Sequence, residues 1–255
     1  MHVDIHAHIL PGCDDGADDT ETAISMLQVA AHKGTGHIIS TPHLIPGTSH
    51  IEARNIAGIC RKLQSLSDAK GMNIRIYPGC EAFLSPELPD MYDAGLICTL
   101  ANTKYILVEM PMMSIPPYTD EVLYKLQLKG LIPVLAHPER NREIVNNPEN
   151  LKKFMRRDVL VQINSGSLTG LYGEKVKKLA HSLVSSGSVH FVASDAHSTG
   201  IQRPNLDETE KIIKKKYGDA VADLLLRENG VAVIGNRAVR SLKPVHIISR
   251  FIFSK

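Results

Sequence analysis

Short runs rich in Val, Ile and aromatic residues recur along the chain, each followed by turn residues and then by apolar positions spaced three and four apart. HVDIH (2–6), HIIST (37–41), NIRIYPG (73–79), KYILVEM (104–110), IPVLAH (132–137), VLVQIN (159–164) and HFVAS (190–194) read as strands. Helical periodicity covers 20–33, 50–69, 118–129, 148–156 and 174–186. Strands alternating one by one with helices predict a parallel sheet. No Pro/Gly/Ser-rich linker interrupts the alternation, so the expectation is one closed α/β barrel rather than two domains. Beyond the seventh strand, NLDETEKIIKKKYGDAVADLLLREN predicts two more helices. The apolar and basic residues 241–255 read as a C-terminal tail packed on the barrel or on a partner subunit, with membrane-surface contact as the alternative.

Composition narrows the class without naming a function. At 255 residues, 43% hydrophobic and 22% charged, the chain is ordinary globular material. It has no apolar run of membrane-spanning length, and its first residues lack the pattern of a secretory signal, so a cytoplasmic location is expected. A net charge of +2 without charge blocks predicts no nucleic-acid partner. Lys214, Lys215 and Lys216 read as the solvated face of a helix. Cys13, Cys60, Cys80 and Cys98 lack CxxC spacing and read as reduced packing residues.

The chemistry lies at the ends of the strands, where an α/β barrel builds its active site. The first strand ends in His6 and His8, the second in His43, the third in Glu81 and the fourth in Glu109. The fifth ends in His137 and Arg140, the sixth in the weakly ligating Asn164 and Ser165, and the seventh in Asp195 and His197. Each residue alone has an everyday role as a helix cap or hydrogen-bonded side chain. Converged on one mouth without a cation, however, the carboxylates would repel one another while losing water, and a metal reverses that balance. Nitrogen and oxygen donors without cysteine suit Mn, Fe or Zn. With Asp15 there are nine candidate ligands, which is enough for two or three ions. Asp19 reads as a helix cap, Asp15 as a ligand, and Asp14 as either. Arg140 and Arg203 are cations beside a cationic cluster, a placement that makes sense with an anion between them, and phosphate suits the guanidinium fork. Metal-assisted phosphoester hydrolysis is therefore the leading chemistry.

DIHAHILPGCDDG, TPH, PGCE, YILVEMP, LQLKGLIPVLAHPERN and HFVASDAH together resemble the PHP (polymerase and histidinol phosphatase) superfamily. The resemblance is to its CpsB/CapC/YwqE branch of bacterial tyrosine-protein phosphatases. It implies a distorted (β/α)7 TIM-like barrel as a single domain over 1–240, and a trinuclear, commonly manganese-dependent site, with Fe or Zn as alternatives. It also implies a partner: the phosphotyrosine tail of a bacterial tyrosine kinase controlling capsule or exopolysaccharide production. By motif, His6, His8, Glu81 and Asp195 would hold one metal, Glu81, Glu109 and His137 a second, and Asp15, His43 and His197 a third. Arg140 and Arg203 would grip the phosphate, and a site histidine such as His43, or a water, would protonate the leaving group. The Cys-x5-Arg loop of cysteine-based phosphatases is absent, since Asp19, Leu66, Pro86 and Lys104 stand six residues after the cysteines. Two rivals share the motifs: a small-molecule phosphoesterase of histidinol-phosphatase type, and a non-catalytic phosphotyrosine-binding regulator. An oligomer is compatible with either.

Overall fold

The computed structural model describes residues 1–48 and 51–244. Nine parallel strand segments form its sheet: β1 (His2–Ala7), β2 (Thr35–Ser40), β3 (His43–Leu44), β4 (Arg75–Pro78), β5 (Glu81–Phe83), β6 (Tyr105–Glu109), β7 (Ile132–Leu135), β8 (Leu160–Asn164) and β9 (Phe191–Ala193). They pair in two groups, β1-β2-β4 and β3-β5-β6-β7-β8-β9. Nine segments occupy seven strand positions, because β2 runs on into β3 and β4 into β5 across short breaks. Last meets first through a parallel bridge between Ala7 and Ala196, with His8 N–H donating to Ala196 O at 2.8 Å and Asp195 N–H to His6 O at 2.9 Å. The result is the expected distorted (β/α)7 barrel.

The sequence reading ended these two strands at residues 41 and 79; the structure adds the restarts β3 and β5 beyond short breaks. Pro42 has no N–H to give a ladder, and Pro78 stands at the end of its strand. At Gly79 a Cβ would lie 2.9 Å from Ile39 Cγ2 and 3.2 Å from Ser40 O, so only glycine lets the two chains pass this close. Beyond the breaks, β3 and β5 restart with His43 paired to Glu81.

Helices α1 (Thr20–His32), α2 (Ala53–Ala69), α3 (Leu88–Asp93), α4 (Thr119–Leu128), α5 (Arg142–Asn146), α6 (Glu149–Met155), α7 (Ser165–Thr169), α8 (Glu174–Ser185) and α9 (Asp207–Tyr217) follow the strands. The helices expected at 20–33, 118–129, 148–156 and 174–186 form within a residue or two of those limits. Residue 50, the expected start of α2, lies outside the described residues. The short α3, α5 and α7 escaped the periodicity because one turn presents too few positions. Asp19 caps α1 as expected, accepting from Thr22 N–H at 2.8 Å. Lys214, Lys215 and Lys216 are exposed in the last turn of α9, while Ile213 and Tyr217 turn inward. In place of one further helix, α10 (Asp219–Asp223), a π-helical turn over Leu224–Glu228 and α11 (Asn229–Ile234) follow. Of the expected tail, residues 245–255 lie outside the described residues, and Leu242 packs on the apolar core.

Strand alternation sorts the core into two clusters. Ile38, Ile106, Val108, Leu135 and Val192 pack with Ala23, Ile56, Val122 and Leu183 of the helices. Ile39, Tyr105, Leu107, Val134, Phe191 and Ala193 form the smaller cluster. Glu109 continues the row of Tyr105 and Leu107, and Asp195 that of Phe191 and Ala193, so candidate ligands cap the smaller cluster.

His190 closes β8 against β9. It is buried, and its Nδ1 accepts from Val161 N–H at 3.1 Å. Burial depresses its pKa from 6.5 to about 4. The unfolded chain therefore takes up the proton first, and stability is full above about pH 6.5 and falls as pH drops towards about 4. H190N keeps an acceptor but cannot titrate. Its urea-unfolding free energy should fall about 2 kcal/mol less than the parent's between pH 7 and pH 5; equal slopes would show that His190 does not carry this lability.

Candidate metal centre

At the C-terminal mouth of the barrel all nine sequence-predicted ligands come together. Among the described residues three groups have potential donor atoms within 4.8 Å of one another: His6, Glu81, His137 and Asp195; His8, Asp15, His43 and His197; and His43, Glu81 and Glu109. The sets differ in detail from those implied by motif, since His8 falls with Asp15, His43 and His197, and His137 with His6 and Asp195. The groups interlock, however. His8 Nε2 stands 3.4 Å from both Glu81 Oε2 and Asp195 Oδ1, and His137 Nε2 is 3.9 Å from Glu109 Oε1.

Glu81 is the centre and is fully buried. Its Oε2 lies 3.2 Å from His6 Nε2, 3.4 Å from His8 Nε2 and 3.0 Å from His43 Nδ1, and its Oε1 lies 3.0 Å from His137 Nε2. Despite this crowding, among the described residues no hydrogen bond of acceptable geometry reaches Oε2. Asp195 Oδ1 sits 3.3 Å from His6 Nε2. Exposure rises outward: the side chains of Glu81 and His6 are 0% exposed, His43 21% and Asp15 71%.

Local backbone and neighbours explain why these side chains converge. His137 precedes Pro138, which disfavours the right-handed helical region for it, and it adopts φ 31. By alternation from Val134 and Ala136 it would face away; the left-handed backbone turns it to Glu81 at a cost on the order of 1–3 kcal/mol. Asp195 shares the conformation, with φ 53. Gly16 lets the Asp14–Asp15 loop lie on His8, because a Cβ there would come within 2.1 Å of His8 O.

Three histidines are oriented by a hydrogen bond from the nitrogen remote from the cluster. His6 Nδ1 donates to Gln162 Oε1 at 2.9 Å, His8 Nδ1 to Asp14 Oδ2 at 2.6 Å and His197 Nδ1 to Asp195 O at 2.9 Å. Each bond leaves Nε2 as the lone pair facing inward. Asp14, which the sequence left open between cap and ligand, falls in none of the three donor groups and orients His8 while also accepting from His43 N–H at 2.9 Å. Gln162 and Asp4 had no role in the sequence reading, and Asn164 only that of a weakly ligating strand end. Gln162 passes a hydrogen bond to Asn164 Oδ1 at 2.9 Å, and Asn164 Nδ2 donates to Asp195 Oδ2 at 2.6 Å. Asp4 accepts from Ser194 N–H at 3.0 Å beside Asp195. The available signal was the alternation of Gln162 and Asn164 with Val161 and Ile163 in a strand buried on both faces.

The donor set fits divalent cations. His6 Nε2 and His8 Nε2 face each other at 3.1 Å, two lone pairs that repel unless positive charge lies between them. Donors around one cation with bonds near 2.1 Å stand roughly 3.0–3.4 Å apart, the spacing seen between these nitrogens and the Glu81 and Asp195 oxygens. Electrostatics agree. Burial opposes charge on His6, but Glu81 and Asp195 outweigh it and raise its pKa to about 9. Burial likewise opposes charge on Glu81 and Asp195, yet the surrounding histidines, His6 first, hold both carboxyls low. Glu109 moves the other way, raised by burial and then by Glu81.

Of the arginines, Arg140 joins the cluster, its Nη1 donating to Asp195 Oδ2 at 3.0 Å. Arg203 lines an adjoining cavity of about 470 Å³ between the 165–172 and 199–209 segments.

A family described as capsular polysaccharide synthesis, CpsB/CapC, matches residues 2–235. The tyrosine-protein phosphatase YwqE of Bacillus subtilis is 35% identical over 251 residues, 98% of each chain. CpsB of Streptococcus agalactiae, also a tyrosine-protein phosphatase, is 28% identical over 93% of this chain and 100% of its own. A crystal structure from a study of YwqE from B. subtilis and CpsB from Streptococcus pneumoniae, described as metal-dependent tyrosine phosphatases, superposes with a TM-score of 0.90 at 35% identity. It covers 97% of this chain and 100% of that one.

Two outcomes follow from this geometry. Manganese binding to metal-stripped protein should release protons at pH 7–8 and tighten as pH rises towards about 9, because a cation replaces the proton on His6; calorimetry in buffers of different ionisation enthalpy measures this, and zero release refutes it. Q162L, which removes the acceptor of His6 Nδ1, should weaken manganese binding about 10–100-fold.

Proposed function

Because the chain belongs to the CpsB/CapC family, we propose that it is a metal-dependent protein-tyrosine phosphatase. The observation that carries the proposal is the convergence of nine histidine and carboxylate donors on Glu81 with the Arg140 guanidinium beside them. Near-complete coverage by tyrosine phosphatases at 28–35% identity supports it. The substrate is taken to be the phosphotyrosine tail of a bacterial tyrosine kinase, with capsule or exopolysaccharide synthesis as the process it regulates and the cytoplasm as its place. Among the described residues no helix is long and apolar enough to cross a membrane. The exposed rim at Asp15 and His43 suits a phosphate carried on a polypeptide.

In this reading the ligands are His6, His8, Asp15, His43, Glu81, Glu109, His137, Asp195 and His197, with Mn as the cation. When bound, the cations supply Lewis-acid charge to the phosphoryl oxygens and lower the pKa of water. The protein's own part is to hold that charge and orient the ester. Glu81, turned towards four histidines, ties the three groups together. Gln162 and Asp14 keep the His6 and His8 lone pairs inward. Arg140 presents the donors not used by Asp195 to the equatorial phosphoryl oxygens, where negative charge builds. His43 turns Nδ1 to Glu81 and Nε2 to Asp15, so its first role is as a ligand. Tyrosine leaves as a phenolate of reference pKa about 10, so it needs little acid assistance, and a solvent proton suffices. Arg203, which lines the cavity that Tyr172 also lines, is assigned the second arginine role, towards the peptide or the phosphate.

Metal-stripped protein should not hydrolyse a phosphotyrosine peptide. Added Mn should restore turnover, with preference over histidinol phosphate, and H137A should abolish it. R140A should lower kcat/KM about 100-fold or more. Preference for histidinol phosphate would place the chain among small-molecule phosphoesterases, and metal binding without turnover on either substrate would make it a phosphotyrosine-binding regulator.

A further inference from the structure

Arg140 is held by a residue outside all three ligand groups. The carbon of its guanidinium lies 4.2 Å from the centroid of the Tyr172 ring. Among the described residues its only hydrogen bond is the one from Nη1 to Asp195 Oδ2, at 3.0 Å. A single hydrogen bond fixes one atom of a planar cation and leaves the plane free to swing about it. A ring against one face removes that freedom, and attraction between the cation and the π face favours the stacked arrangement. Tyr172 is itself anchored: its hydroxyl accepts from Gln202 Nε2 at 3.2 Å. Gln202 O in turn accepts from His197 N–H at 3.0 Å. The ring therefore couples the segment carrying Arg140 to the one carrying His197, and Tyr172 lines the cavity that Arg203 also lines.

We propose that Tyr172 is a positioning residue for phosphate recognition: its ring sets the Arg140 guanidinium plane so that the edge not bound to Asp195 faces the phosphoryl oxygens. Bidentate recognition of phosphate depends on that plane, because two parallel N–H donors must point at two oxygens together. Tyr172 does so without touching the ester. The inference rests on the phosphatase reading.

The test uses manganese-loaded full-length protein and two readouts: binding of inorganic phosphate by calorimetry, and kcat and KM on a phosphotyrosine peptide. Parent, Y172F, Y172L, R140A and the double variant R140A/Y172L are compared, with thermal unfolding as the check on folding. Y172F keeps the ring and should stay within about 3-fold of the parent in phosphate Kd and in KM. Y172L should raise both about tenfold while leaving manganese affinity unchanged. In the R140A background the same substitution should add less than about 2-fold, since the residue it positions is gone. Equal losses for Y172F and Y172L, or a full additional loss on top of R140A, would overturn the proposal, as would parent-like behaviour of Y172L. If the parent binds phosphate but does not turn over the peptide, the phosphatase reading fails, and the phosphate-binding comparison still decides the role of Tyr172. A parent that neither binds phosphate nor turns over the peptide overturns both.

Discussion

A carboxylate with no water around it has to be answered by positive charge, and Glu81 is such a carboxylate. It sits at the centre of the barrel mouth with four histidine nitrogens within 3.4 Å. An isolated ionised group in such a place would be prohibitively unfavourable and would neutralise itself by taking a proton. Here the histidines hold it ionised, at the expense of carrying protons themselves. Divalent cations serve the same electrostatic need with the histidines neutral. The histidine rings, the second carboxylates Glu109 and Asp195, and the orienting bonds from Gln162 and Asp14 are all arranged around this one charge.

The barrel supplies the arrangement by departing from regularity. The second and third strands break at Pro42 and Gly79 and restart with His43 beside Glu81. Left-handed backbone at His137 and Asp195 redirects two more candidate ligands. Such strain is sustained only where the surroundings over-determine it, and here Asn164 and Arg140 donate to the Asp195 carboxylate while Asp195 N–H donates to the His6 carbonyl. Polar links run from His6 through Gln162, Asn164 and Asp195 to Arg140, joining the buried ligands to the cation that faces the phosphate in the proposed reaction.

The sequence by itself determined the fold class and the membership of the site. Alternating strand and helix periods dictate a parallel sheet, and in such a barrel the residues after each strand must share one face, so nine candidate ligands and Arg140 could be named from position alone. Tertiary structure decided how they are used. Whether His8 groups with His6 or with His197, that Asp14 meets the far nitrogen of His8, that Arg140 meets Asp195 and the face of Tyr172 while Arg203 lines the next cavity, all depend on distances between segments far apart in the chain. Periodicity carries one-dimensional information about which face a side chain takes. Which partners it meets on that face is set by strand breaks, left-handed residues and close-packed glycines such as Gly16 and Gly79, whose effect exists only once the barrel has closed.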